Sequence, residues 1–331
     1  MVDNEPYCAI IMILMRKNRL LKWALVAFIA INLYSLIPIV RFYLTKHPAT
    51  KKLNQDVVSG FRDNKDPYFS FIVMSDTGSG IFPAEAATLK LVRRMNREDR
   101  FNKIPIDFVV NAGDVTFRGR ESHYKNYLKI KEMIKFPVID GIGNHDDDFD
   151  NGPRGLALFN KYCGAEQFSF TNRNSYFIFL DNKDGNLTES QFAWVESELR
   201  KVGDFEHTFI FMHKPPFNPY QQAWYRVETN PWSYAFLKLC DKYKVDIVFS
   251  GHENVGRVVK FGSVTYMVSG GGGTLLIQPS SEGGFLNYIV VKVNGKYLDH
   301  EIRKVNPPVW EFFTYYMWKD IIYFLQDLFL N

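Results

Sequence analysis

A chain of 331 residues with 46% hydrophobic content is long enough for one large domain with a substantial core. Its net charge of +4, with no basic stripe interleaved with aromatics, excludes a nucleic-acid footprint. Three cysteines (Cys8, Cys163 and Cys240) exclude a disulfide framework, and no Cys/His zinc spacing occurs, so each is read as a buried or membrane-proximal thiol.

Residues 23–40 carry no charged side chain, with only Asn32, Ser35 and Pro38 among apolar groups. Arg16, Lys17, Arg19 and Lys22 flank this run on one side, Arg41 and Lys46 on the other. A run of this kind crosses a hydrocarbon core of ~30 Å. Ala27 and Ala30 make a poor cleavage site and the apolar run continues past them, which argues against a removed signal peptide. Residues 1–44 are therefore predicted to be an N-terminal tail and a single-pass transmembrane helix, a buried core helix being the alternative. Basic residues on both flanks weaken the charge bias. A first anchor with a short basic tail nevertheless points to a cytoplasmic N-terminus and an extracytoplasmic domain. The string MRKNRLLKW from Met15 looks like a signal-anchor opening, with residues 1–14 as an upstream extension.

Residues 45–66 are polar and punctuated by Pro48 and Gly60, and read as a juxtamembrane linker. The globular domain is assigned to 67–306. Within it, apolar runs at 69–74, 106–110, 138–142, 176–180, 208–212 and 246–249 predict buried strands. Helical patterns at 84–96, 120–134, 188–202 and 233–243 lie between them, the third opening on Thr188 with Ser190 and Gln191 as a cap. After Asn254 the pattern is strand-only, at 255–261, 264–269 and 285–293, with Asn294-Gly295 turning into a last strand at 296–304. Strand–helix alternation followed by strands predicts an α/β sandwich of two sheets with helices outside. The tail, 307–331, combines Trp310, Phe312, Phe313, Tyr315, Tyr316 and Trp318 with a narrow polar stripe. It is predicted to be an amphipathic helix, lying on the membrane surface or docked on the domain.

Five short strings carry chemistry. Asp76 lies in SDTG, Asp114 in NAGDVTF, Asn144, His145 and Asp146 in GIGNHDD, His213 in FMHKPPF, and His252 and Asn254 in SGHEN. Singly each is weak, since a Gly-Asp after a strand is usually a turn. As an ordered set, most of them just beyond the ends of predicted strands, they form an oxygen- and imidazole-rich ligand set where an α/β sheet gathers its ligands. Two ions ~3.5–4 Å apart, held by such ligands, are suited to activate water and neutralise a phosphoryl group. Other phosphatase chemistries lack their residues: no Cys is followed at the sixth position by Arg, and there is no GxSxG or Gly-rich GK[ST] loop.

In these motifs the chain resembles the calcineurin-like metallophosphoesterase superfamily, whose pattern is Asp-x-His, Gly-Asp, Gly-Asn-His-Asp/Glu, His and Gly-His-x-His. More narrowly it resembles the bacterial branch grouped with purple acid phosphatases and cyclic-nucleotide phosphodiesterases. FIFLDN (177–182), TESQFAWVESEL, VSGGGG (268–273) and GGFLNYIVVKVNG (283–295) carry the narrower likeness, which covers roughly 68–305. The resemblance implies a four-layer α-β-β-α sandwich with two mixed sheets. It also implies a metal-dependent phosphatase or phosphodiesterase acting by in-line attack of an activated hydroxide. Carried over, Asp114 would bridge two divalent ions (Mn, Fe, Zn or Mg), with Asn144, His213 and His252 completing the second site and Asp76 serving the first. His145, oriented by Asp146, would bond the phosphoryl or leaving-group oxygen and act as general acid.

The chain departs from that pattern at Gly78, where many members have histidine, at Phe117, where purple acid phosphatases have a tyrosine ligand, and at Asn254, where the last histidine is expected. The first site is thus reduced to Asp76, Asp114 and Asn254 as a weak ligand. A non-catalytic or single-metal binding module is the alternative reading. The expected partners are a phosphoester substrate and the lipid bilayer, with loops 147–154 and 215–232 walling the cleft.

Overall fold

The structure, a computed structural model, describes residues 52–61, 66–101, 105–147, 154–217, 231–274, 276 and 280–305, with scattered positions between 22 and 48. The tail at 307–331, most of the apolar run at 23–40, and residues 148–153 and 218–230 of the two cleft loops lie outside the described residues. Positions 40–44 are helical, and among the described residues no helix is long and apolar enough to cross a membrane. The chain divides into two compact units: Met1–Lys46 with Pro307–Asn331, and His47–Asn306.

The second unit contains two mixed sheets. One has the order β11-β10-β1-β2-β3, where β1 is Tyr68–Met74, β2 Ile106–Ala112, β3 Val138–Gly141, β10 Asn287–Asn294 and β11 Tyr297–Lys304. The other runs β4-β5-β6-β7-β9-β8, with β4 Phe168–Asn172, β5 Ser175–Phe179, β6 His207–Phe211, β7 Ile247–Ser250, β8 Gly256–Phe261 and β9 Val264–Ser269. In each sheet the central strands are parallel (β1, β2 and β3; β5, β6, β7 and β9), and antiparallel strands close the edges at β10–β11, β4 and β8.

Side chains alternate across a strand, so each sheet has an inner and an outer face. The inner faces meet in a phenylalanine-rich core of Phe69, Phe71, Phe108, Phe177, Phe209, Phe211 and Phe249, joined by Ile289, Val291 and Val293 of β10. Phe71 stacks on Phe108 within its sheet at 5.3 Å and meets Phe209 of the other edge-on at 5.1 Å. Such pairs add ~0.5–1.5 kcal/mol each beyond their buried area and fix how the sheets face each other. The alternate residues Tyr176, Ile178, Ile210 and Val248 face outward, in one cluster with Val195, Leu199, Phe236 and Leu237.

Helices account for these outer layers: α1 (Asn54–Ser59), α2 (Phe82–Met95), α3 (Glu98–Phe101), α4 (Glu121–Met133), α5 (Arg154–Tyr162), α6 (Glu189–Leu199) and α7 (Pro231–Lys242). The cap read at Thr188 is present: its Oγ1 accepts from the Gln191 amide at 3.2 Å, and Gln191 Oε1 accepts from the Thr188 amide at 2.8 Å.

The expected linker at 45–66 is corrected by α1, which is seated on the domain. Asn54 is fully buried; its side-chain amide donates to the Asp140 carbonyl and accepts from the Asp140 amide, both at 2.8 Å. The physical reason is that β3 is an edge strand, and a side-chain amide supplies the peptide-like partner its exposed backbone lacks.

Candidate metal centre

Every sequence-selected side chain lies in the loops just beyond the carboxyl ends of the central strands: Asp76 after β1, Asp114 after β2, Asn144 to Asp146 after β3, His213 after β6, and His252 and Asn254 after β7. Four of them take left-handed backbone conformations, with φ of 61° at Asp76, 51° at Asp114, 68° at His252 and 49° at Asn254. Non-glycine residues adopt this region rarely, and such outliers gather at functional sites. The turn closes off each strand close to its carboxyl end. Gly143 lets the β3 loop approach closely, since a Cβ there would come 2.2 Å from Asp114 Oδ1.

The loops of both sheets meet at Asp114. Its Oδ2 lies 3.1 Å from Nε2 of His213, which belongs to the other sheet, and its Oδ1 accepts the His145 amide at 2.8 Å. One ligand atom from each of Asp114, His213 and His252 falls within 4.8 Å of the others. The His213 Nδ1 donates to the Ala112 carbonyl at 3.1 Å, which fixes the ring and turns Nε2 toward Asp114. Asn144 Oδ1 is buried without a hydrogen-bond partner. A buried orphan acceptor is costly unless a ligand satisfies it. Asp76 is held differently: both its carboxylate oxygens accept the His252 amide, at 3.2 and 3.0 Å.

Burial pushes the carboxyls of Asp76 and Asp146 up to about 7, with the Asp114 charge adding to both. At Asp114 burial acts in the same direction, but the neighbouring His213 outweighs it and holds the carboxyl below its usual value. Burial opposes charge on His213, yet Asp114 and Asp76 lift it to about 9. His252 is pushed down to about 4 by burial and by His213, which keeps it a neutral ligand. The Asp114 carboxylate, with ring nitrogens of His213 and His252 within 4.8 Å, offers converging donors to a cation. The set of one carboxylate, one amide oxygen and two imidazoles suits a borderline divalent ion such as Zn, Mn or Fe. Asp114, Asn144, His213 and His252 therefore fit a metal ion.

His145 and Asp146 are arranged otherwise than the sequence suggests. The Asp146 carboxylate accepts from the amides of Thr116 (2.8 Å), Gly143 (2.9 Å) and Val115 (3.2 Å), and from the Thr116 hydroxyl (3.0 Å). It ties the β2 loop to the β3 loop. The His145 ring is oriented instead by Phe117, whose carbonyl lies 2.9 Å from Nδ1. Asn254, expected as a weak ligand, accepts the Thr274 hydroxyl on its Oδ1 at 2.5 Å.

Asn182 was not selected from the sequence. Its Oδ1 accepts the amides of His213 (2.8 Å) and Lys214 (3.1 Å), and its Nδ2 donates to the Lys214 carbonyl at 2.7 Å, so it fixes the loop that delivers His213. A polar residue closing the apolar run FIFL was the available signal.

Comparison with known proteins agrees with this geometry. The sequence model of the family described as calcineurin-like phosphoesterase matches residues 69–256. The chain is 27% identical over 176 residues to a protein of Xenorhabdus bovienii named "probable cyclic nucleotide phosphodiesterase", covering 51% of this chain and 69% of that one. It is 28% identical over 126 residues to a glycerophosphodiester phosphodiesterase of Enterobacter lignolyticus, covering 33% of this chain and 42% of the relative. Among solved structures, a purple acid phosphatase from yellow lupin seeds shares the fold, with a TM-score of 0.55 at 17% identity over 72% of this chain and 51% of that one. The chain thus spans between two-fifths and about two-thirds of the length of these proteins.

Proposed function

Because the chain belongs to the calcineurin-like phosphoesterase family, we propose that it is a metal-dependent phosphoester hydrolase whose reaction centre lies at Asp114. The convergence of the Asp114, His213 and His252 ligand atoms from two different sheets carries this reading. The buried, unpartnered Asn144 oxygen, in the loop after β3, would supply a fourth donor.

Asp114, Asn144, His213 and His252 would hold a divalent ion, which when bound would acidify water and neutralise charge on phosphoryl oxygens. The chain's own residues do the rest. The Ala112 carbonyl and Asn182 lock the His213 ring and its loop. His145 is presented by the β3 loop, with its Nδ1 proton committed to Phe117, so Nε2 is the nitrogen that delivers a proton to the departing oxygen. Asp146 holds the loops that carry Asp114 and His145 in register. The two curated relatives are named as phosphodiesterases, which supports a phosphodiester as the first substrate to test. Membrane anchoring through the uncharged run at 23–40, with the domain extracytoplasmic, is the accompanying proposal and is supported by the basic residues flanking that run.

A single-metal binding module on the same fold is the second reading, favoured by Gly78 and by an Asn254 oxygen already engaged. Full-length protein loaded with Mn or Zn separates the two. Hydrolysis of bis-nitrophenyl phosphate or its monoester, lost together with bound metal in His213→Ala, is the expected result. Metal retention with no turnover of either ester would overturn the hydrolase reading. Sedimentation of the full chain with membranes, and its release on removal of 1–44, tests the anchor.

A further inference from the structure

Thr274, in the loop after β9, occupies the place where a second ion's ligands would gather. Gly78 has a φ of 53°, and a Cβ built on it would come 2.4 Å from Thr274 Cγ2. The Thr274 hydroxyl donates to Asn254 Oδ1 at 2.5 Å, and its amide donates to the Asp76 carbonyl at 3.0 Å. One threonine thus touches all three positions, 76, 78 and 254, from which ligands to a first ion would come. Its methyl fills the space that a side chain at 78 would need, and its hydroxyl engages the amide oxygen that could have replaced an imidazole. The Asp76 carboxylate is meanwhile turned to the His252 amide. By contrast, Asn144 Oδ1 is buried without a hydrogen-bond partner.

We propose that Thr274 is a plug that makes this a single-ion centre. Asp114, Asn144, His213 and His252 hold one divalent ion, and the Thr274–Asn254 pair closes the half-site beside Asp76. The inference rests on the hydrolase reading and refines it: with one ion, the charge a second would neutralise on the leaving side falls to His145. A first ion would be left with two carboxylates, Asp76 and Asp114, because the Asn254 amide oxygen is already bonded to Thr274.

The test is metal stoichiometry and magnetic coupling, neither of which depends on turnover. Full-length protein saturated with Mn(II) and freed of excess ion is expected to hold one ion per chain, with the EPR spectrum of isolated Mn(II). The double variant Thr274→Ala/Asn254→His removes the plug and adds an imidazole at a backbone angle that His tolerates. It is expected to take up a second ion and show the spin coupling of a pair. Two ions in the unmodified protein would overturn the plug while leaving the hydrolase reading intact. One ion in both proteins, with the variant folded by circular dichroism, would overturn the role given to Thr274. No ion in the unmodified protein would overturn the hydrolase reading, and this inference with it.

Discussion

The ring of Phe117 lies nearly parallel to that of His145, at 19° and with centroids 5.9 Å apart, while its carbonyl lies 2.9 Å from His145 Nδ1. Arg118 covers the same phenyl ring at 5.6 Å. Phe117 stands where a ligating tyrosine would be expected in purple acid phosphatases, and here its ring and carbonyl contact the His145 ring. Phe117→Ala keeps the carbonyl and loses the stack. A stacking contribution of ~0.5–1.5 kcal/mol converts to a roughly two- to tenfold fall in kcat with unchanged metal content. His145→Ala should cost far more, about 10²–10⁴-fold, on esters of poorly acidic alcohols. Its deficit should shrink on nitrophenyl esters, whose leaving group departs without a proton. A His145→Ala deficit that ignores leaving-group acidity would remove the general-acid role.

Loss of the metal ion should weaken the fold as well as the activity. Asp114 and His213 are almost fully buried, and the ion would bind the folded protein alone. At an ion concentration one hundred times Kd, such binding adds about 2.7 kcal/mol of stability. In a domain of this size that corresponds to a rise of several degrees in Tm. Chelation should therefore lower Tm, and added Mn or Zn should restore it. In His213→Ala the melting temperature should no longer respond to either, as differential scanning fluorimetry would show.

Asp146 is argued to be a structural clasp, and its variants should separate stability from chemistry. Removing its carboxylate leaves three amides without their acceptor in a buried turn. Each such loss costs ~1–3 kcal/mol, so Asp146→Ala should lose about 3 kcal/mol or more in urea denaturation. His145→Ala, one residue earlier, should stay near the unmodified value. Equal stabilities for the two variants would contradict the clasp.

Much of the architecture was legible because long apolar runs and ordered motifs report directly on burial and on loop position. The strands at 69–74, 106–110 and 264–269 and the cap at Thr188 appear where the pattern puts them. The hairpin of β4 and β5 did not announce itself, because its two-residue turn, Arg173-Asn174, has no glycine. Arg173 takes a φ of 56° there, held by an ion pair to Asp107 at 2.9 Å and by bonds to the carbonyls of Asp66 and Tyr68. A tertiary contact supplies what turn chemistry normally does. Helix α1 owes its place to the backbone of Asp140. The site divides the same way. Asp114, His213 and His252 are visible as side-chain types in motifs. The contact of Phe117 with His145 runs through its carbonyl as well as its ring, and the contact of Thr274 with Asn254 joins positions twenty residues apart. Neither leaves a local signature.

His207, outside the site, gives the fold a pH dependence of its own. Its Nε2 lies 2.9 Å from the Gly295 carbonyl and its Nδ1 3.4 Å from Asp246 Oδ1, so only the doubly protonated ring can donate to both. Burial opposes the charge, but these bonds and the Asp246 and Glu206 charges outweigh it and raise the pKa above 6.5. A raised folded-state value means that the contribution is complete below 6.5 and is lost as pH rises through the folded pKa. Asp246→Asn removes the charge while its amide oxygen can still accept from Thr208, which donates to Asp246 Oδ2 at 2.8 Å. The stability gap between the unmodified protein and Asp246→Asn should therefore be wide near about pH 5.5 and narrow by about pH 9. Taking the difference cancels the titration of the metal centre, which both proteins share. A gap that stayed constant across that range in urea denaturation would show that the His207–Asp246 pair carries no proton-linked stability.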